Sequence, residues 1–235
     1  ESLGWLLDRV YIKNIWISVI GQELVERLSP GQAVPVLAAR LDAERPEVRA
    51  TAAFWLGTYP KQDEIVGQLL ALLEHKKTRG SALRTLGRWK VLDAAPKIAA
   101  FLNDPEERVR VRAANALRDL GTLDSAAALR AALNDPCFTV REAAARALTN
   151  LGPRVIPQLL RELPRAERLE RRQIIRVLGA LQSRRAVPAL RALLRDPDAG
   201  VRGDAARALQ TISPQRAPAW LQGLPENERA ALLVP

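Results

Sequence analysis

The chain has 235 residues, of which 48% are hydrophobic and only 4% aromatic. This length suffices for one or two ordinary domains or one elongated array. A core with so few aromatic residues is mainly aliphatic, and such a core suits helices better than a β-sandwich. One cysteine and one histidine exclude a disulfide framework, a thiolate metal cluster and any site that needs two imidazoles. The net charge is +10, and its positive excess falls in residues 75–92 and 141–216, which favours an acidic partner.

Residues 1–30 are predicted to form an atypical N-terminal helical capping layer, because they are rich in Trp, Leu, Ile and Val. Docking of this segment to a partner or to an upstream domain is one alternative, and contact with a membrane surface is another. No run of about 18 uncharged apolar residues occurs, so we expect no transmembrane helix. The sequence begins at Glu1 rather than Met, so we expect that an upstream segment is missing, whether a cleaved signal or transit peptide or a further domain.

A repeat of about thirty residues fills residues 31–212. Its clearest copies, 104–121 and 135–152, both read Asp-Pro-x3-Val-Arg-x2-Ala-Ala-x-Ala-Leu-x2-Leu-Gly, and 196–212 is a degenerate third copy. Weaker copies surround these three. The predicted starting positions, equivalent to the Val of the motif, are Val48, His75, Val109, Val140, Glu170 and Val201.

Each repeat is predicted to contain two helices, because apolar residues recur with helical spacing after a Pro or Asp-Pro start signal. Gly87, Gly121 and Gly152 are predicted to end second helices. The predicted first helices are Ala33–Leu41, Asp63–Leu73, Ala94–Leu102, Ser125–Leu133, Val155–Leu163 and Ala186–Leu194. A short helix pair buries its apolar stripe only against its neighbours, so we expect an all-α fold, a right-handed α-solenoid of about six stacked antiparallel pairs. Residues 213–235, with Trp220 and a helix near 226–233, are predicted to form a C-terminal cap.

These runs resemble the HEAT repeat, specifically the short bacterial kind named after phycobilisome lyase subunits. The resemblance covers residues 31–212 and implies an armadillo-like stack of helices. It also implies a structural ladder of Asp and Arg six residues apart that links adjacent repeats. The ladder pairs are Asp104 and Arg110, Asp135 and Arg141, and Asp196 and Arg202. The ladder is expected to be broken at Arg49, Lys76 and Arg171, where no Asp stands six residues earlier.

The second helices of HEAT proteins line the concave side of the solenoid, so their outward-facing residues are candidate binding residues. The row six residues after each predicted start reads Phe54, Ser81, Asn115, Arg146, Arg176 and Arg207. Arg112 belongs to the adjacent row. Arginines on successive packed helices, about 10 Å apart, suit a carboxylate-rich or phosphate-bearing partner, because the guanidinium is a planar fork of donors. The alternative is an ordinary solvated face in an Arg-rich protein.

The densest basic patch lies beside Trp89, and basic residues next to an aromatic ring are also typical of contact with nucleic acid. Its residues are Lys76, Lys77, Arg79, Arg84, Arg88 and Lys90. Trp89 equally suits a structural role beneath the neighbouring layer.

The sequence contains little that indicates a catalytic function. HEAT-type iron hydroxylases use repeated His-Glu pairs, whereas this chain has only Glu74-His75 in the reverse order. Cys137 is a lone thiol, and no glycine-rich phosphate-binding motif occurs. We therefore expect a non-enzymatic, cytoplasmic scaffold that binds a protein and needs no metal or cofactor. A nucleic-acid-binding protein similar to HEAT-like glycosylases and a bilin-lyase-like subunit are the alternatives.

Overall fold

A computed structural model describes residues 27–222 together with Pro225, Glu226 and Arg229. These residues form helices, turns and short loops, with no β-strand among them. The helices are α1 Pro30–Ala38, α2 Pro46–Leu56, α3 Val66–Leu72, α4 Arg79–Arg88, α5 Ala95–Ala100, α6 Glu107–Leu120, α7 Ala126–Ala131, α8 Phe138–Asn150, α9 Ile156–Glu162, α10 Arg168–Ala180, α11 Val187–Ala192, α12 Ala199–Ile212 and α13 Ala217–Leu221.

The all-helical repeat architecture predicted from the sequence is confirmed. The odd-numbered helices from α1 to α11 are the first helices of six pairs, and most are extended by single 3-10 turns such as Leu92–Ala94 and Phe101–Asn103. Residues 1–26 and most of the predicted last helix, 226–233, lie outside the described residues. No helix in the described part of the chain is long and apolar enough to cross a lipid bilayer.

The chain divides into two compact units, one ending at Leu120 and the other beginning at Gly121. In the first unit, α2 packs on α4 and α4 packs on α6. In the second unit, α8 packs on α10 and α10 packs on α12. Each second helix also packs against the first helix of its own pair, so each unit is a stack in which a repeat contacts its neighbours.

The second repeat begins at Thr78 and not at His75, so the predicted register of this repeat was wrong by three residues. Thr78 is fully buried, whereas His75 is exposed. With Thr78 as the start, every repeat is 30 or 31 residues long. The residue eight positions after each start is then a fully buried leucine: Leu56, Leu86, Leu117, Leu148, Leu178 and Leu209.

The corrected register also explains how the second helices end. Gly121 and Gly152, twelve positions after the repeat start, have φ of 67° and 74° and end their helices as predicted. The equivalent residues Lys90 and Gln182 have φ of 50° and 48°, although they are not glycines. Gly87 was predicted to be a stop signal, but it lies inside α4.

Gly87 instead allows two helices to approach closely. A Cβ atom at Gly87 would lie 2.8 Å from the main-chain Cα of Ala116 in α6. Gly57 faces Thr85 and Gly179 faces Ala208 at the same repeat position. Small residues at these positions set the spacing between second helices, and so between the side chains that those helices carry on their exposed surface.

Candidate functional site

The Asp and Arg residues of the predicted ladder order the turn within each repeat. The arginine Nη1 donates to the main-chain carbonyl oxygen of the aspartate six residues earlier, over 2.9 Å for Arg110, 2.7 Å for Arg141 and 2.8 Å for Arg202. The aspartate Oδ1 accepts the main-chain N–H two residues later, as Asp104 does from Glu106 over 2.8 Å. These arginines therefore recognise a carbonyl oxygen, a group that every residue supplies.

The ladder was predicted to be broken at Arg49, Lys76 and Arg171, and this prediction is wrong. Arg49 donates to the carbonyl oxygen of Ala43 over 2.7 Å, with no aspartate at that position. Arg171 donates to Asp196 Oδ2 of the next repeat over 3.0 Å. In the second repeat the equivalent residue is Arg79 rather than Lys76, and Arg79 donates to Asp104 Oδ2 over 2.6 Å. Contacts between repeats thus occur where the sequence predicted none.

The predicted basic patch separates into two parts. Lys76 pairs with Glu106 at 2.7 Å, and Lys77 pairs with Glu47 at 3.0 Å. These two lysines and Arg79 pair with carboxylates of neighbouring repeats, so their positive charges are largely compensated within the protein. The other members, Arg84, Arg88 and Lys90, lie along α4 and at its end.

The corrected register changes the predicted row of outward-facing residues. The position six after Thr78 is occupied by Arg84 and not by Ser81. The row therefore reads Phe54, Arg84, Asn115 in the first unit and Arg146, Arg176, Arg207 in the second. Four of its six residues are arginines, one more than the sequence predicted.

In the first unit, Arg88 and Arg112 lie near Arg84, which stacks on a phenylalanine ring, and we call Phe54, Arg84, Arg88 and Arg112 the first-unit cluster. The Arg84 guanidinium lies 3.8 Å from the centre of the Phe54 ring, in a cation–π contact. Partial burial lowers the pKa of Arg84, and the charges of Arg88 and Arg112 lower this pKa further. The Arg84 guanidinium is therefore close enough to Arg88 and to Arg112 for their charges to act on it.

No carboxylate of the described residues compensates this cluster. Arg84, Arg88 and Arg112 form no ion pair with any residue that the structure describes. Arg112 extends across α4 over Gly80, where a Cβ atom would lie 2.9 Å from its Cζ. Three cations held near one another without a counter-charge among the described residues make this cluster a candidate anion-binding surface.

The second unit gathers three arginines around one buried carboxylate, and we call Asp204, Arg172, Arg176 and Arg207 the second-unit cluster. The Asp204 side chain is 1% exposed. Its Oδ2 accepts from Arg172 Nε over 2.6 Å, and its Oδ1 accepts from Arg207 Nη2 over 2.6 Å and Arg176 Nε over 3.3 Å. One aspartate against three arginines leaves this cluster positively charged.

Two opposing effects act on the pKa of Asp204. Burial raises this pKa, while hydrogen bonds from Arg172 and Arg207 and the charge of Arg176 lower it, and the net result is a lowered pKa. Asp204 therefore stays ionised near neutral pH and fixes the arginines around it. Arg172 and Asp204 were not predicted as site residues, because Asp204 lies 32 residues from Arg172 and 28 residues from Arg176 along the chain.

Arg146, although in the same row, makes a different contact. Its Nη2 lies 3.7 Å from Glu142 Oε2, one helical turn earlier, and its side chain is 72% exposed. The predicted partner-binding residues therefore do not all join one cluster. Arg176 and Arg207 meet at Asp204, and Arg112 belongs to the first-unit cluster. Among the described residues, no three His, Cys, Asp or Glu side chains are arranged to bind a metal ion.

Comparison with known proteins supports the repeat assignment. A family model described as HEAT repeats matches residues 66–149, 95–167 and 156–232, which together are more than half of the chain. No curated protein sequence matches the chain significantly.

Several solved structures share the fold. YibA from E. coli is 18% identical, with a TM-score of 0.59 over 98% of this chain and 90% of that chain. The complex of CpcE and CpcF of phycocyanin lyase from Nostoc sp. PCC7120 is 26% identical, with a TM-score of 0.51 over 84% of this chain and 82% of that chain. An engineered protein is 21% identical, with a TM-score of 0.51 over 94% of this chain and 71% of that chain.

Proposed function

We propose that this chain, which belongs to the HEAT repeat family, is a non-enzymatic module that binds an acidic, extended segment of a partner protein. The binding surface is the outward-facing side of the second helices, the side predicted to be concave. Arginines at one position of successive repeats present donors at the spacing of packed helices. Because packing holds these side chains in place, binding orders few new groups.

The first-unit cluster carries this proposal. Arg84, Arg88 and Arg112 lie together without a carboxylate partner among the described residues, and Phe54 fixes the orientation of Arg84. Like charges held together repel one another, so the cluster destabilises the free protein slightly. An acidic ligand removes this repulsion, and bidentate hydrogen bonds to its carboxylates add to the gain.

The test is a binding measurement with a fluorescein-labelled twenty-residue peptide in which Glu alternates with Ala. The triple variant Arg84→Gln, Arg88→Gln, Arg112→Gln is expected to bind this peptide about tenfold more weakly than the wild type. The control variant Lys61→Gln, Lys76→Gln, Lys77→Gln loses the same charge from side chains that pair with acidic residues. It is expected to bind within about twofold of the wild type.

Equal weakening in both variants means that only net charge matters, and this result contradicts the proposal. A duplex DNA of similar length is measured in parallel. Tighter binding of DNA than of peptide, lost in the triple variant, replaces the proposal with a nucleic-acid-binding function. Thermal unfolding of each variant confirms that the fold is retained.

A second candidate function is that of a subunit in a bilin lyase. The likeness to the CpcE and CpcF complex of phycocyanin lyase supports it, since the two chains correspond over most of their lengths. The proposal then requires a second subunit, and the measurement is transfer of a bilin to a phycobiliprotein with and without that subunit. No transfer with any paired subunit rules this candidate out.

A further inference from the structure

A small pocket in the second unit opens beside the N-terminal ends of α8 and α10. Its volume is about 140 Å³. Its lining residues are Phe138, Arg141, Leu169, Arg172, Gln173 and Arg176. Sites for drug-sized ligands are typically 300–1,000 Å³, so this pocket has room for one side chain rather than for a cofactor.

Two of the three arginines that line the pocket are held by Asp204 and have terminal nitrogens without a partner among the described residues. Arg172 and Arg176 both use Nε to bind Asp204, over 2.6 Å and 3.3 Å. Their terminal nitrogens form no hydrogen bond with the described residues. A guanidinium offers five N–H donors in a rigid fork, so each side chain has donors left for a ligand. The buried carboxylate thereby lowers the entropy that the arginines lose when an anion binds.

Gln173 lies in the floor of this pocket with an unsatisfied side chain. The residue is 4% exposed, and its Oε1 has no hydrogen-bond partner among the described residues. A buried polar atom without a partner destabilises the folded state. The fold does not require an amide here, because Ala143 occupies the equivalent position one repeat earlier and is also buried. A hydrogen bond from a ligand to Gln173 explains why an amide side chain occupies this position.

Two apolar side chains complete the pocket. Phe138 is 57% exposed and Leu169 is 38% exposed, which is unusual for large apolar residues in this protein. Arg141 lies 5.8 Å from the centre of the Phe138 ring. Apolar surface beside guanidinium nitrogens that have donors left suits a ligand that combines a carboxylate with an apolar group.

We propose that this pocket recognises an acidic residue next to an apolar residue in an extended segment of the partner protein. The carboxylate binds the terminal nitrogens of Arg172 and Arg176, and the neighbouring apolar side chain packs on Phe138 and Leu169. Rotation of the Gln173 side-chain amide turns its oxygen toward the segment, where it accepts a main-chain N–H. This inference rests on the proposed function and adds the local chemistry that the partner must carry.

The test uses three labelled twelve-residue Gly/Ser peptides that differ only in a central pair, Glu-Leu, Gln-Leu or Glu-Ser. The wild type is expected to bind the Glu-Leu peptide about tenfold more tightly than either of the others, as expected for loss of a charged hydrogen-bond acceptor or an apolar contact. Phe138→Ala is expected to lose the preference for Glu-Leu over Glu-Ser, and Gln173→Ala is expected to bind the Glu-Leu peptide more weakly than the wild type does. Thermal unfolding of Gln173→Ala is expected at the wild-type temperature or above, because the substitution removes an unsatisfied group.

Arg146→Gln is the matched control, since Arg146 is an arginine of the same row that does not line the pocket. This variant is expected to keep the preference for Glu-Leu. A wild type that binds all three peptides equally overturns the inference, and so does a Phe138→Ala protein that still prefers Glu-Leu over Glu-Ser or a Gln173→Ala protein that binds Glu-Leu as tightly as the wild type does. If the twenty-residue acidic peptide still depends on the first-unit cluster, only the pocket inference has failed. If that dependence is absent too, the proposed function has failed.

Discussion

At the scale of single residues, Asp204 holds the second-unit cluster together. Among the described residues it is the only carboxylate that the arginines of this cluster share, and it is buried while they are partly exposed. Ion pairs on the surface contribute little to stability, whereas removing one partner of a buried pair leaves uncompensated charge and is costly. The stability of this unit therefore depends more on Asp204 than on any one of its arginines.

Asp204→Asn is expected to lower the free energy of unfolding by about 2 kcal/mol at pH 7. The loss is smaller than for a fully buried pair, because Asn keeps one acceptor oxygen and the arginines remain partly hydrated. Urea unfolding followed by circular dichroism measures the change. Asp93→Asn, at an exposed position, is the control and is expected to have little effect. Equal effects of the two substitutions contradict the role assigned to Asp204.

The wild type and the Asp204→Asn variant also test the pKa of Asp204. Its pKa in the folded state is lowered below the usual 3.8, so its charge stabilises the fold fully above pH 3.8 and progressively less as pH falls through the folded pKa. The difference in unfolding free energy between wild type and Asp204→Asn is expected to be constant from pH 5 to pH 8 and to shrink below about pH 3.8. A difference that persists unchanged well below this pH argues against a lowered pKa.

At the scale of helices, glycines within the second helices set how closely neighbouring repeats pack. Gly57, Gly87 and Gly179 each face a small residue of the next second helix. Glycine inside a helix costs about 1 kcal/mol relative to alanine, so Gly87 and Gly179 lower helix propensity but permit close approach, while Gly57 lies just after the end of α2. In the first unit, the close packing holds Phe54 of α2 beside the arginine-bearing surfaces of α4 and α6.

Gly87→Ala is therefore expected to destabilise the protein by about 1–2 kcal/mol, although alanine is the better helix former, because the new methyl group meets the main chain of Ala116. Gly67→Ala is the control in α3, where a Cβ atom has no neighbour within 4 Å, and it is expected to stabilise by about 0.5 kcal/mol. Guanidinium unfolding compares the two variants. Stabilisation by both substitutions would show that α4 and α6 can move apart at no cost.

At the scale of the whole molecule, stability is built from contacts between adjacent repeats. Within each unit, side-chain hydrogen bonds connect neighbouring repeats, as from Arg79 to Asp104 in the first unit and from Arg171 to Asp196 in the second. Trp89 Nε1 likewise donates to the carbonyl oxygen of Tyr59 over 2.9 Å. In such an array a local defect weakens the neighbouring repeats most.

Leu83→Ala tests this locality, because Leu83 is fully buried in α4. A loss of about 3 kcal/mol is expected from the cavity that the substitution leaves. Hydrogen exchange measured by mass spectrometry is expected to show the largest loss of protection in α2, α4 and α6, and the smallest in α12. Uniform loss of protection along the chain would show instead that the repeats unfold as one cooperative body.

The sequence by itself determined the all-helical class, the repeat of about thirty residues and the leucines that form the core. These features follow from the periodicity of apolar residues along a helix, which is local in the chain. The first helices were likewise found at or near their predicted positions, because proline and aspartate signals mark helix starts wherever they occur.

Only the tertiary structure decided where the second repeat begins and which arginines are free to bind. His75 and Thr78 lie about one helical turn apart, so a shift of three residues leaves nearly the same face apolar, and only packing against the neighbouring helices shows which residue is buried. The free charge of Arg84 and the shared charge of Arg176 depend on side chains about thirty residues away. Such neighbours are created by stacking of the repeats, and no spacing within a single helix encodes them.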